Sequence, residues 1–291
     1  MKSSLPELAR TLLAPQHAGP LATIWSNCVA GWWLGGGGDL KGLAFLLVGA
    51  TLIFFGGALL GRAFGGDYGL QQRRGAPPLS VGGMWLVALG CWCAALVAFS
   101  FLGIGAVVLG VLLAALLLFA SFLRWQAALS PIVYGLFRCF LYLLAASVGL
   151  EGITGWSIWC GLAMGCYVAG AGYLEPATPN RKRAWAMLLL AMPVFLALLM
   201  DTGPFRESGL LLSLMVLLWV LRGLRPVLWP VEPGQSTSPR ELLTGIVLVD
   251  WLAACPAISS MGELSQLPRA VSFAFIGLLL LAYLCQLLAR D

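Results

Sequence analysis

Residues 106–123 read AVVLGVLLAALLLFASFL, eighteen positions with no charge and a single hydroxyl. A helix rises 1.5 Å per residue, so such a run covers most of a hydrocarbon core of ~30 Å, and a buried soluble helix seldom needs so uniform a surface. The preceding run, Met84–Ile104, is of the same kind. Working outward, similar runs occupy Leu21–Gly35, Leu43–Ala63, Ile132–Leu150, Trp156–Leu174, Ala184–Met200, Leu210–Trp229, Leu242–Ile258 and Val271–Ala289. The first and ninth of the ten are short. A transmembrane barrel needs alternating segments of about ten residues, which these are not.

Composition agrees. Apolar types make up 60% of the chain and charged residues 10%, whereas soluble domains run near 45–50% and about 25%. A water-soluble globule could not cover its surface with so few charges. The expected fold is therefore all-α, a polytopic transmembrane bundle of nine or ten helices, with residues 1–20 as an N-terminal segment and 21–291 as one domain. The lipid bilayer is its first partner. The net charge of +5 does not point to nucleic acid, because the basic residues fall between the apolar runs.

Orientation follows from those residues. An N-terminus in the cytoplasm puts Lys2, Arg10, Arg62, Arg73, Arg74, Arg124, Arg181, Lys182, Arg183, Arg222, Arg225, Arg240 and Arg290 inside. Only Lys41, Arg206 and Arg269 fall outside, the asymmetry that loops of membrane proteins show. The sequence predicts a multi-pass membrane protein with its N-terminus in the cytoplasm. Its polar cytoplasmic loops are Gly65–Gly83 (GGDYGLQQRRGAPPLSVGG), Glu175–Arg183 (EPATPNRKR) and Pro230–Arg240.

Polar groups inside the runs need partners, since lipid supplies none. Arg138, in IVYGLFRCFLYLL, either reaches back to headgroups, caps a neighbouring carbonyl, or faces a cavity that takes an anion. A snorkelling arginine would tolerate leucine in its place. Asp250, in GIVLVDWLAACP, reads first as the structural partner of an arginine or a backbone donor. Asn27 must face protein or a cavity. The paired Arg73-Arg74 and the Arg181-Lys182-Arg183 triplet set orientation, and together they can also fork onto phosphate oxygens. The eight cysteines lie in or near apolar runs, where thiols behave as small hydrophobes.

Several stretches carry a family resemblance. TIWSNCVAGWWLGGGG (Thr23–Gly38) and GGALLGRAFGGDYGLQQRRGAPPLS (Gly56–Ser80) resemble the opening of the UbiA superfamily of intramembrane prenyltransferases. The likeness continues through SPIVYGLFRCFLYLLAAS, GWSIWCGLAMGCYVAGAGYL and GPFRESGLLLSLMVLLWVLRGLRP, nearly the whole chain. The resemblance implies a bundle around a cavity open to lipid and capped by cytoplasmic loops. It implies binding of a polyprenyl diphosphate and transfer of its prenyl group to a lipid-soluble, aromatic acceptor. A non-catalytic protein that binds isoprenoids or other lipids is the alternative.

On that resemblance, Asn27, Arg62, Arg73, Arg74, Arg138, Tyr173, Arg181, Lys182 and Arg183 would meet the substrate. Mg²⁺ would bridge carboxylates to the diphosphate, and Asp67 and Glu175 are the acids left to hold it. Where the family carries Asn-Asp-x-x-Asp-x-x-x-Asp, this chain has Gly61, Arg62, Gly65 and Gly69 in place of the asparagine and the three aspartates.

Overall fold

A computed structural model describes residues 15–64, 80–123, 126, 128–174, 180–200, 206–228, 240–260 and 266–288. Among them the chain is helical, with no strand. The helices are α1 (Pro15–Leu34), α2 (Leu40–Phe64), α3 (Val81–Ser100), α4 (Ile104–Phe122), α5 (Ser130–Ser147) and α6 (Gly155–Tyr173). They continue as α7 (Asn180–Met200), α8 (Arg206–Leu228), the short α9 (Arg240–Thr244), α10 (Ile246–Ser260) and α11 (Gln266–Leu288). Each apolar run coincides with a helix, except that the ninth is divided into α9 and α10 at Gly245. Five helices are long and apolar enough to cross a membrane: α2, α3, α4, α5 and residues Ala270–Leu288 of α11. The chain is a multi-pass helical membrane protein.

Contacts at the helix ends show that the helices alternate in direction. At one end Phe64 of α2 packs on Trp85 of α3 and Phe122 of α4, with ring centroids 5.1 and 4.7 Å apart. At that end too, the Tyr173 hydroxyl closing α6 donates to the Ala128 carbonyl, 2.7 Å away, just before α5. At the other end, the Leu150 and Glu151 amides after α5 donate to the Gly37 and Gly35 carbonyls after α1, at 2.9 and 2.7 Å. The flanks of the two polar loops, Phe64/Val81 and Tyr173/Asn180, thus belong to one end of the bundle.

Local signals start several helices. Ser80 caps α3 by accepting from the Gly83 amide, and Thr154 and Ser157 form a reciprocal capping box at the start of α6. Two indole rings, Trp32 and Trp33, are almost wholly enclosed at the end of α1.

Helix α1 is the centre of the bundle, touching α2, α5, α10 and α11. The closest helix pair is α5 with α6, which meet backbone to backbone at Gly135 and Gly165. A β-carbon on Gly135 would run into the Gly165 carbonyl, and one on Gly165 would stand 2.9 Å from the Gly135 carbonyl. In lipid, where solvent drives helices together little, close backbone approach is what packing has to offer. Gly135→Ala is expected to destabilise the protein by about 1–3 kcal/mol through overpacking, read as a lower Tm in detergent. An unchanged Tm would mean that α5 and α6 slide apart freely.

Candidate functional site

The polar residues of α1 that need partners in lipid, Thr23, Ser26 and Asn27, follow at i, i+3 and i+4 and so share one helical face. On α5, Arg138 and Tyr142 stand four apart and share another. On α10 the acid is Asp250. The fold brings these three faces together in the interior. Asp250, Asn27, Ser26 and Tyr142 are fully buried, and Arg138 is 9% exposed.

The hydrogen bonds form one connected set. Arg138 Nη1 donates to the Thr23 carbonyl at 2.9 Å and to Asn27 Oδ1 at 2.6 Å, while Nη2 donates to Thr23 Oγ1 at 2.7 Å. Asn27 Nδ2 donates to both carboxylate oxygens of Asp250 at 2.8 Å. The Tyr142 hydroxyl donates to Asp250 Oδ1 at 2.7 Å, and Ser26 Oγ donates to Asp250 Oδ2. The guanidinium and the carboxylate are therefore joined through the Asn27 amide, whose oxygen faces the cation and whose nitrogen faces the anion. That alignment puts the amide dipole in the direction both charges favour. Arg138 caps the Thr23 carbonyl and does not reach for headgroups. Asp250 meets neither an arginine nor a backbone donor directly, as its partners are the side chains of Ser26, Asn27 and Tyr142, and it joins Arg138 only through Asn27, which faces protein as expected.

A guanidinium has five N–H groups. Thr23 takes one from each terminal nitrogen, and Asn27 takes the second on Nη1. Among the described residues, Nε–H and the other Nη2–H have no acceptor. These two lie along the same edge of the planar group, the geometry that meets a carboxylate or phosphate bidentately. Arg138 stands near the middle of α5, about 12 Å along the helix from Ser130 and about 14 Å from Ser147.

The helix is broken just before α10, five residues ahead of Asp250. The Leu242 carbonyl accepts from the Tyr167 hydroxyl at 2.8 Å and from the Gly245 amide at 3.0 Å, so the helical ladder is interrupted there. A β-carbon at 245 would collide with that hydroxyl and with Trp219. Only glycine leaves room for the interruption.

An apolar recess lies elsewhere. Trp156, Cys160, Pro193, Ala197, Gly209 and Val249 are among its lining residues, and its volume is about 30 Å³. That is room for roughly two waters, far less than a prenyl chain. It sits where α6 and α8 begin and α7 ends, so Pro193 is about 18 Å along α7 from Arg181. Val249 and Ala253 line it from one face of α10, with Asp250 about 100° round the helix. Arg138 is not part of it.

The remaining sequence candidates are placed as follows. Asp67, Arg73, Arg74, Gly65, Gly69 and Glu175 lie outside the described residues. Arg181, Lys182 and Arg183 are in the first turn of α7, their side chains likewise outside. Arg62 is half-buried in the last turn of α2. Tyr173 spends its hydroxyl on Ala128.

The metal that the resemblance implies can be tested at two described positions. Among the described residues nothing stands within 4 Å of a β-carbon at Gly61, and glycine brings no oxygen ligand. Arg62 brings a positive charge where Mg²⁺ asks for a carboxylate. These two positions do not fit Mg²⁺, and no group of three or more metal-ligating side chains occurs among the described residues.

Sequence reasoning singled out Arg138, Asn27 and Asp250 but passed over Thr23, Ser26 and Tyr142. The signal was present in the i, i+3, i+4 spacing of Thr23-Ser26-Asn27 and the i, i+4 spacing of Arg138 and Tyr142. None of the models of known protein families, the curated proteins or the solved structures matches this chain.

Proposed function

We propose that the protein binds a polyprenyl diphosphate at the end of the bundle that carries the basic loops. The observation that carries this reading is the unspent edge of Arg138, a cation fixed inside the bundle with two parallel N–H groups still to donate. A diphosphate presents oxygens at the matching spacing, and a fork of this kind prefers it to a single point charge. Arg62 and the first-turn residues Arg181, Lys182 and Arg183 add positive charge at the same end, the loop sequence between α2 and α3 contributes Arg73 and Arg74, and Asn27 holds the guanidinium in place. The apolar helices provide the surroundings for a prenyl chain.

The resemblance supports a bundle of nine or ten spans of the UbiA kind, with its N-terminus in the cytoplasm of a bacterial cell and the diphosphate arriving from the inner leaflet. On this reading the protein descends from prenyltransferases that act on lipid-soluble aromatic acceptors. Gly61 and Arg62 favour the second reading, a non-catalytic isoprenoid-binding protein, because they remove metal ligands while leaving the basic groups.

One experiment tests the binding reading. Protein in lipid nanodiscs is titrated with radiolabelled farnesyl diphosphate, with farnesol as the uncharged control. Saturable binding of the diphosphate, weakened at least tenfold by Arg138→Lys, is the expected result, since lysine keeps the charge but not the fork. Equal binding of farnesol and farnesyl diphosphate would refute it.

A further inference from the structure

We propose that Asp250 is a positioning residue for Arg138, acting through Asn27 to hold the Nε–H/Nη2–H edge toward an anionic ligand. The inference rests on the reading of Arg138 given above and extends it to residues that touch no ligand.

The argument turns on which way an amide can face. An asparagine side chain has one accepting and one donating end, and nothing in its shape decides between them. In this protein the choice is forced from below. Asp250 accepts from Ser26, from Tyr142 and, through both oxygens, from Asn27. A carboxylate with every contact a donor takes the nitrogen end of Asn27, and only the oxygen end remains for Arg138 Nη1. With Nη1 held by Asn27 and Thr23, and Nη2 by the Thr23 hydroxyl, the plane of the guanidinium has no freedom to turn. Thr23 is itself anchored, its hydroxyl donating to the Pro20 carbonyl at 2.7 Å. The free edge is thereby aimed without Asp250 touching Arg138.

Asp250→Asn breaks the logic with almost no change in shape. Whichever carboxylate oxygen becomes the NH₂ group, Asn27 Nδ2 stands 2.8 Å from it, donor against donor, even where Ser26 Oγ accepts one of the new protons. Asn27 then flips and turns its N–H groups toward a guanidinium that can only donate. Two donors facing each other push Arg138 off its seat. The exchange Asn27→Asp/Asp250→Asn should undo this. The carboxylate now on α1 accepts from Arg138 on one side and from the new amide on α10 on the other. Tyr142 and Ser26 keep a partner on α10, the first as donor and the second as acceptor, and Ser26 can donate to the Thr23 carbonyl, already 3.0 Å away.

The test measures binding of inorganic pyrophosphate by equilibrium dialysis against nanodisc-embedded protein, well below each variant's Tm. Asp250→Asn is expected to raise Kd about tenfold or more, the effect of losing one well-aimed charge-assisted hydrogen bond. The exchange variant should return Kd to within about threefold of the parent. In an Arg138→Lys background, Asp250→Asn should have no further effect on Kd, because there is no fork left to aim. A purely structural role for Asp250 predicts the opposite: a loss of affinity that follows Tm and persists in the lysine background. If the parent binds pyrophosphate and Asp250→Asn binds it equally well, the positioning role is wrong while the anion site stands. If the parent binds neither pyrophosphate nor farnesyl diphosphate, both readings fall.

Discussion

Arg138→Leu is expected to destabilise the folded protein by about 3–5 kcal/mol, although leucine is by far the better residue for a membrane span. Three hydrogen bonds disappear, to the Thr23 carbonyl, the Thr23 hydroxyl and Asn27. The larger effect is electrostatic: Asp250, fully buried, loses the one cation among the described residues of its network and must then either carry an uncompensated charge or take up a proton, both at a cost. Removing one member of a buried pair is costly for that reason, whereas removing both is often close to neutral. The double variant Arg138→Leu/Asp250→Leu should therefore recover most of the loss, with a coupling of at least about 1 kcal/mol. Thermal or denaturant unfolding of the detergent-solubilised protein, followed by circular dichroism, reads both effects. A single variant as stable as the parent would show that Arg138 is solvated rather than engaged. The tolerance of leucine that a snorkelling arginine implies is not expected here, and for this reason Arg138→Lys is the better probe of binding.

This contrast shows what could be read from the sequence. The helices were legible because lipid demands that each crossing satisfy its own backbone, and so writes every span as an apolar run. Arg138, Asp250 and Asn27 were legible as suspects for the same reason, each being a polar group where lipid offers no partner. Their pairing was not. Asn27 lies 111 residues from Arg138 and 223 from Asp250, and no helical period links α1 to α5 and α10. Ser26 and Thr23 were passed over because small hydroxyls in spans usually bond their own helix, as Ser147 does to the Leu144 carbonyl, and Tyr142 because nothing on α5 alone shows which distant acceptor its phenol meets. The break at Gly245 was invisible for a related reason. Glycine in an apolar run is more often a close-packing site, like Gly135, than an interruption, and only the Tyr167 hydroxyl seated beside it tells the two apart.

Mg²⁺-dependent prenyl transfer by the unmodified protein is expected to be absent or very slow, and restoring the acidic motif is expected to raise it by roughly two to three orders of magnitude. A divalent ion held by carboxylates at 62, 65 and 69 would supply several kcal/mol of charge stabilisation to a leaving diphosphate, and each ~1.4 kcal/mol is a factor of ten in rate. Gly61 and Arg62 supply none of that stabilisation, and Arg62 opposes it. The restoring variant is Gly61→Asn/Arg62→Asp/Gly65→Asp/Gly69→Asp. At its first member no described residue comes within 4 Å of a β-carbon. Arg62 is the more informative member, because it is half-buried and its replacement reverses a charge at the mouth of the proposed site. Binding of farnesyl diphosphate without metal should fall modestly in the same variant, as one arginine is lost and three carboxylates arrive. Opposite movements of turnover and metal-free affinity would identify the aspartates as metal ligands rather than substrate contacts. The measurement is transfer of labelled farnesyl diphosphate to a panel of phenolic acceptors in nanodiscs, with Mg²⁺ or with chelator. Brisk Mg²⁺-dependent turnover by the unmodified chain would overturn the view of a lost metal site, and it would direct attention to Asp67 and Glu175 as ligands sufficient on their own.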